Sequence, residues 1–254
     1  MMRVWLALVF LASTLSSQAA VFGYVQSNSL VDSSTVAYSG NVTGGHLLIA
    51  WYGAYNTAPA NSTPAGGFSD TVGSSWSFPT CIFNDVGGGS TICLSLAIAK
   101  STGADTVTLI SPAASVNEAV MIGEYRIPAS FTILVGQGCG WSAVAAYACG
   151  RSSFTIVQYG IIPPGTEYMA ITGFFDDLSI HSWNSSTGAT VEQQPVMTVC
   201  GCSIGFGDHD LTTTVILTSP YSDNYGSGFT FSLDMVGLSV LLVAAGQSAY
   251  GTAQ

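Results

Sequence analysis

Two short acidic clusters with imidazoles come closest to a chemical signature in this chain. Asp176-Asp177 stand just ahead of His181, and His209 sits between Asp208 and Asp210. Carboxylates beside an imidazole can ligate a divalent ion or exchange protons with a substrate. If the two loops meet at one end of the fold, Asp176, Asp177, His181, Asp208 and Asp210 form a candidate metal site. Its oxygen-rich donors favour calcium in a structural role. The simpler expectation is that these are solvated turn residues, where aspartate is favoured anyway. The third histidine, His46, heads an apolar run and is expected to be a satisfied core or edge residue. No G-x-S-x-G elbow, H-E-x-x-H helix or phosphate-cradling glycine loop occurs. A catalytic role is therefore not the leading expectation, and no cofactor beyond structural calcium is expected.

Aromatic residues make the better case, for binding. Tyr55, Trp141, Trp183, Tyr221 and Tyr225 fall in segments that read as loops, connectors and turns. Sugars present apolar CH faces that stack on such rings, while nearby Asp and Asn engage their hydroxyls. Trp51 and Trp76 fall in apolar strand-like runs and are assigned to the core. Sequons at Asn41, Asn61 and Asn184 mark acceptor positions for a glycosylating host.

Six cysteines, Cys81, Cys93, Cys139, Cys149, Cys200 and Cys202, read as disulfides in an exported chain. Cys81 and Cys93 flank a glycine-rich turn, so a cross-hairpin bridge is expected between them. Cys139 and Cys149 lie in one connecting segment that they could close on itself. Cys200-Gly201-Cys202 places two cysteines on one face of a strand, where a mutual bridge is strained. Pairing of these two with Cys139 and Cys149 is the alternative, and a zinc site from the four is a further one.

The elements that must position these residues are β-strands. Short runs rich in Val, Ile, Thr, Tyr and Phe are punctuated by Gly, Pro, Ser and Asn every ten residues or so. Expected strands in the first half are 35–39, 46–52, 75–81, 91–99, 105–110 and 118–125. The second half offers 154–158, 168–174, 190–193, 197–205, 213–218, 229–234 and 236–243. LLIAWY, ICLSLAIA and SVLLVAA are apolar at nearly every position and so should be covered on both faces. The AVAAYA run near Trp141 could form one helical turn.

Thr106–Pro112 reads TVTLISP and Thr214–Pro220 reads TVILTSP, an internal echo about 108 residues apart. CLSLAIA from Cys93 answers CSIGFGD from Cys202, and HLLIAWYG from His46 answers EYMAITGF from Glu167. Such spacing suits a duplicated all-β module rather than a solenoid. The expected organisation is a signal peptide over 1–19, a first β half over 20–135, a connector over 136–150 and a second half over 151–254. The two halves are expected to pack as one antiparallel β-sandwich of jelly-roll type.

Arg3, the apolar stretch Val4–Leu15 and the small residues before Ala20 carry the secretory reading. That stretch is too short to span a bilayer, and no later segment competes as a membrane span in the mature chain. The formal net charge is −10, and with Arg3 removed only Lys100, Arg126 and Arg151 remain against 14 acidic residues. Such a chain cannot neutralise a run of phosphates, which excludes nucleic acid as a partner. With 7% charged and 48% hydrophobic residues, few charges guard the strand edges against association.

Asp70-Thr71-Val72-Gly73-Ser74-Ser75-Trp76 forms a D-x-x-G-x-x-aromatic turn, preceded by GGHLLIAWYG and followed by LAIAKSTGADTVTLISP and IGEYRIPA. This set, over about Asn41 to Ala129, resembles secreted or surface-attached bacterial β-sandwich modules of immunoglobulin-like or jelly-roll type. The resemblance implies an exported, often adhesive or polymer-associated protein with no shared catalytic set. It also implies that Asp70 caps backbone amides and that Gly73 takes a positive φ. The six cysteines depart from that pattern. The expected function is a secreted, non-catalytic module binding a polysaccharide or surface glycan. A self-assembling fibre or coat subunit is the alternative, and a hydrolase or metalloenzyme using the Asp/His loops the second alternative.

Overall fold

The computed structural model describes residues 22–56, 66–84, 89–110, 117–136, 141–142, 145–146, 168–176, 183–185, 189–198, 200–211, 221–223 and 235–244. The signal segment 1–19, the strands expected at 154–158, 213–218 and 229–234, and Cys139 and Cys149 lie outside the described residues. Among the described residues the protein is all-β, its strands pair antiparallel, and no helix is present. Among these residues, therefore, no helix is long and apolar enough to cross a membrane.

One five-stranded sheet runs in the order β1 (Gly23–Val31), β8 (Asn117–Arg126), β3 (Leu47–Asn56), β6 (Gly89–Ile98), β5 (Thr80–Asn84). A second runs β14 (Ala189–Gln193), β16 (Cys202–Leu211), β12 (Tyr168–Asp176), β18 (Met235–Ala244), β9 (Phe131–Gly136), with β15 (Val196–Met197) also pairing β16. A small sheet holds β2 (Thr35–Ala37), β7 (Thr106–Leu109) and β4 (Phe68–Asp70). Two ribbons complete the set: β10 (Trp141–Ser142) with β11 (Ala145–Ala146), and β13 (Trp183–Ser185) with β17 (Tyr221–Asp223).

Side chains alternate across a strand, and β3 uses both of its faces. Leu47, Ile49 and Trp51 join a core with Met169, Ile171, Phe175, Ile204, Phe206, Leu238, Val240 and Leu242 of the second sheet. Leu48, Ala50, Tyr52 and Ala54 pack on the other side beneath Val36, Phe68, Val107 and Leu109 of the small sheet. The first sheet is thus a middle layer, which is why LLIAWY carries no polar position. Burying each such large side chain contributes roughly 1.5–3 kcal/mol. Close approach of the layers requires Gly173, because a Cβ there would run into the indole ring of Trp51. Trp51 stacks on Phe206 with ring centroids 6.4 Å apart.

The Asp70 turn forms as its residues require. Asp70 Oδ1 accepts from Ser74 N at 2.7 Å, Oδ2 accepts from the Trp76 indole at 3.1 Å, and Gly73 has a φ of 74°. Trp76 is consequently half-buried against Phe68 rather than inside a strand. The strand expected over 75–81 begins only at Thr80; ahead of it Ser77 is tied to β6 through side chains, its hydroxyl accepting from Leu96 N and its carbonyl from Ser95 Oγ, with one ladder bond from its amide to Leu96 O. The expected run 197–205 breaks into β15 and β16 at a turn where Gly201 has a φ of 68°. Part of the AVAAYA run is a strand, not a helical turn: Ala145–Ala146 pairs with Trp141–Ser142. Polar β1 and the short β4 carry no strong apolar pattern and were not expected as strands; β9, FTILVG, was not expected either, although it is mostly apolar.

Behind the Asp70 turn, Asp105 is 3% exposed and its Oδ1 accepts from Thr71 N at 3.1 Å and Thr71 Oγ1 at 3.0 Å. Burial pushes its carboxyl above the ordinary value, the Thr71 hydrogen bonds pull it part way back, and the Asp70 charge pushes it up again. A carboxyl raised in the folded state favours folding fully below about pH 4 and loses that contribution as pH climbs through the raised value. Asp105→Asn should flatten the fall of stability across that window in urea unfolding at a series of pH values. A slope equal to that of the wild type would contradict this assignment.

Cys81 and Cys93 face each other across β5 and β6 and form a disulfide, as the flanked turn predicts. Cys200 and Cys202 bond to each other. This corrects the alternatives in which they reach Cys139 and Cys149 or supply thiolates to zinc. The turn at Gly201 swings Cys200 out of the β16 strand face, so the two side chains need not point in parallel.

Candidate functional site

The most elaborate polar arrangement among the described residues lies where the edges of the two large sheets meet, along β1 and β14. Gln193 clasps β1 from the second sheet. Its Nε2 donates to Ser27 Oγ at 2.8 Å, and its Oε1 accepts from Ser29 Oγ at 2.8 Å. Both strands shift register here, β1 between Tyr24 and Gln26 and β14 between Val191 and Gln193. Such bulges re-aim side chains and interrupt pairing at an edge.

Tyr24 stands at the centre of this flank. Its ring is 40% exposed and leans edge-on against Tyr125 at 5.8 Å, and its hydroxyl meets Ser27 Oγ at 2.8 Å. Burial raises the Tyr24 hydroxyl's pKa, the Ser27 hydrogen bond lowers it, and the Glu192 carboxylate and Asp208 charge raise it further. Glu192 is itself raised, by burial first, with the Tyr24 hydrogen bond opposing. An aromatic face, two carboxylates, an amide and hydroxyls are therefore gathered beside one another.

Strand β1 is held in place by a buried carboxylate. Glu124, 0% exposed, accepts from Gln26 Nε2 at 2.6 Å and Thr43 N at 2.8 Å, and pairs with His46 Nδ1 at 2.7 Å. Gln26 Oε1 accepts in turn from Ser39 Oγ at 3.1 Å and Gly40 N at 2.9 Å. His46 is thus a satisfied edge residue, as expected of it.

The β13–β17 ribbon adjoins β14. In it Trp183 lies opposite Asp223, and Ser185 lies opposite Tyr221. Trp183 and Tyr221 therefore occupy diagonal register positions of one ribbon face, a spacing of about 7–8 Å. These two sequence-predicted residues thus share one two-stranded ribbon. Trp141 belongs to the separate β10–β11 ribbon, and Tyr225 lies outside the described residues. Tyr55 is not in a loop: β3 runs on to Asn56, and Tyr55 is half-buried against the inter-sheet core.

The acidic candidates are spread along the second sheet. Asp176 lies opposite Ser203, whereas Asp208 and Asp210 lie opposite Ile171 and Met169. Asp176 and Asp208 are thus separated by about 17 Å along β12, at about 3.4 Å per residue. Asp208 instead belongs with Tyr24 and Glu192. Asp177 and His181 lie outside the described residues. Sequence reasoning missed Tyr24, Glu192 and Gln193, because a clasp between strands 164 residues apart leaves no local pattern. No family model, curated protein or solved structure matches the chain.

Proposed function

We propose that this protein is a secreted, non-catalytic binding module of β-sandwich type whose ligand is a glycan or a glycan-coated surface. The observation that carries the proposal is the continuous flank β1–β14–β13–β17. On it Tyr24 stands with Glu192, Gln193 and Asp208, and the ribbon that carries Trp183 and Tyr221 adjoins β14. Rings supply stacking faces for sugar CH groups, and the amide and carboxylates fix hydroxyls. The flank rests on paired strands, so little ordering is required on binding.

The architecture fits a duplicated module. The order β1-β8-β3-β6-β5 has its counterpart in β9-β18-β12-β16-β14, strand for strand in chain order. The boundary between copies then falls just before β9, near Ala129–Ser130. Two disulfides and the N-terminal apolar stretch support export.

Pull-down on a panel of insoluble polysaccharides tests the function. Tyr24→Ala and Trp183→Ala should each weaken retention about tenfold, roughly 1.4 kcal/mol of lost stacking. Retention by no polysaccharide, or variants that bind like the wild type, would dismiss it. Self-assembly is the second reading, favoured by the uncharged exposed side chains Leu30, Phe78, Ile98 and Ile110, with Phe78 71% exposed. Sizing at high concentration separates the two, since assembly requires an oligomer.

A further inference from the structure

We propose that Asn41 is an N-glycosylation site whose donor is a lipid-linked, pyrophosphate-activated oligosaccharide, and that its glycan stands on the face of β1 turned away from β14. The chain holds Asn-x-Ser/Thr triplets at Asn41, Asn61 and Asn184. Such a triplet is read through the asparagine amide and the hydroxyl two residues on, and it belongs on an exported protein's surface. Asn61 lies outside the described residues, and Asn184 sits in the paired ribbon β13–β17, opposite Ser222. Only the Asn41 triplet falls entirely within the described residues.

Its middle residue fixes the presentation. Val42 is 0% exposed and bridges Gly103 in both directions, its N donating to Gly103 O at 2.9 Å and its O accepting from Gly103 N at 3.1 Å. Side chains alternate along an extended chain, so pinning Val42 inward turns Asn41 and Thr43 outward together, and both are exposed. The surrounding main chain is held as well. Asn41 O accepts from Gln26 Nε2 at 3.3 Å, Thr43 N donates to Glu124 Oε1 at 2.8 Å, and Thr43 O accepts from His46 N at 3.0 Å. Neither the Asn41 amide nor the Thr43 hydroxyl has a hydrogen-bond partner among the described residues. Both groups the transfer needs are therefore free, while the backbone that carries them is fixed. Gln26 leaves β1 on this side, whereas its neighbour Ser27 meets Gln193 on the other. A glycan on Asn41 thus leaves the β1–β14 clasp uncovered.

The transfer involves no redox step. Asn41 Nδ2 bonds to the anomeric carbon of the oligosaccharide, the bond from that carbon to the pyrophosphate oxygen breaks, and the lipid pyrophosphate departs with the electron pair. The amide nitrogen gives one proton to a base of the oligosaccharide transferase. The product adds a hydrated group to a surface on which only 7% of the chain's residues could supply charge.

The test expresses the full chain behind a yeast secretion leader, alongside a version carrying Asn61→Gln and Asn184→Gln in which Asn41 is the sole acceptor. Peptide mass mapping of the secreted wild type should find most copies of the Asn41 peptide glycosylated, with aspartate left there after peptide-N-glycosidase treatment. The folded single-acceptor version should bind a mannose-specific lectin column without denaturation. In that version Thr43→Val removes the hydroxyl, keeps the main-chain bonds and should abolish both signals, whereas Thr43→Ser should keep them. An unmodified Asn41 peptide, a glycan that survives Thr43→Val, or lectin binding only after unfolding would overturn the proposal. Where a chain is not secreted, its translation with microsomal membranes reads the transfer directly, and an unmodified product there would overturn the proposal equally.

Discussion

Glu124→Ala is expected to destabilise the protein by about 3–5 kcal/mol, at about 1–3 kcal/mol for each donor that loses its buried acceptor. Three donors converge on that carboxylate from separate parts of the chain: Gln26 of β1, the Thr43 amide and His46. Alanine removes the shared acceptor of these part-buried donors, and only Gln26 Nε2 keeps another, the Asn41 carbonyl at 3.3 Å. The Gln26 side chain also organises Ser39 and Gly40, so the loss should spread into the chain between β2 and β3. Glu124→Gln should cost less. It keeps an acceptor for Thr43 and His46 but sets one amide nitrogen against that of Gln26. The urea midpoint reads both effects, and an alanine variant within about 1 kcal/mol of wild type would show that the hub is dispensable.

Trp51→Ala should cost a similar amount, about 3–5 kcal/mol, as a large aromatic removed from a closed core. Trp51 is 0% exposed, stacks on Phe206 and lies directly over Gly173. The reciprocal change tests the same contact from the other sheet. Gly173→Ala introduces a methyl group where the indole ring already sits, and overpacking of this kind costs about 1–3 kcal/mol. The two changes are coupled, because the cavity left by one accommodates the group added by the other. The double variant should therefore be more stable than the summed losses predict, by about 0.5–3 kcal/mol. Strict additivity would mean that the layers do not meet at this point.

The sequence exposed the strands that are covered twice and hid those that are covered once or not at all. LLIAWY is apolar at every position because β3 faces a layer on each side, so its continuous hydrophobicity announced both. Cys81 and Cys93 bracketed a turn, and their pairing followed from local geometry. By contrast, β1 reads GYVQSNSLV, with polar residues engaged in side-chain hydrogen bonds that no periodicity encodes. The end of β3 was misjudged because Gly53-Ala54 looks like a turn. In the fold Gly53 is the only residue that fits under Ile204 and Phe175, so the strand continues through it and carries Tyr55 inward. The flank proposed for binding was half legible. Trp183 and Tyr221 stood out as aromatics near turns, but their register across the ribbon is a long-range property. Tyr24 gave no signal because bulges and inter-sheet clasps depend on where a distant strand ends.

The clasp between β1 and β14 also sets a timetable for the nascent polypeptide. Tyr24, Ser27 and Ser29 leave the ribosome early, yet Ser29 meets Gln193 only 164 residues later and Gln26 meets Glu124 after 98. At about 5–20 residues per second, the first strand waits on the order of ten seconds for the last of these partners. Until β8 emerges it is a lone, uncharged strand, and its outer side chains then wait for β14, so any chaperone that accompanies the emerging chain would find its longest task there.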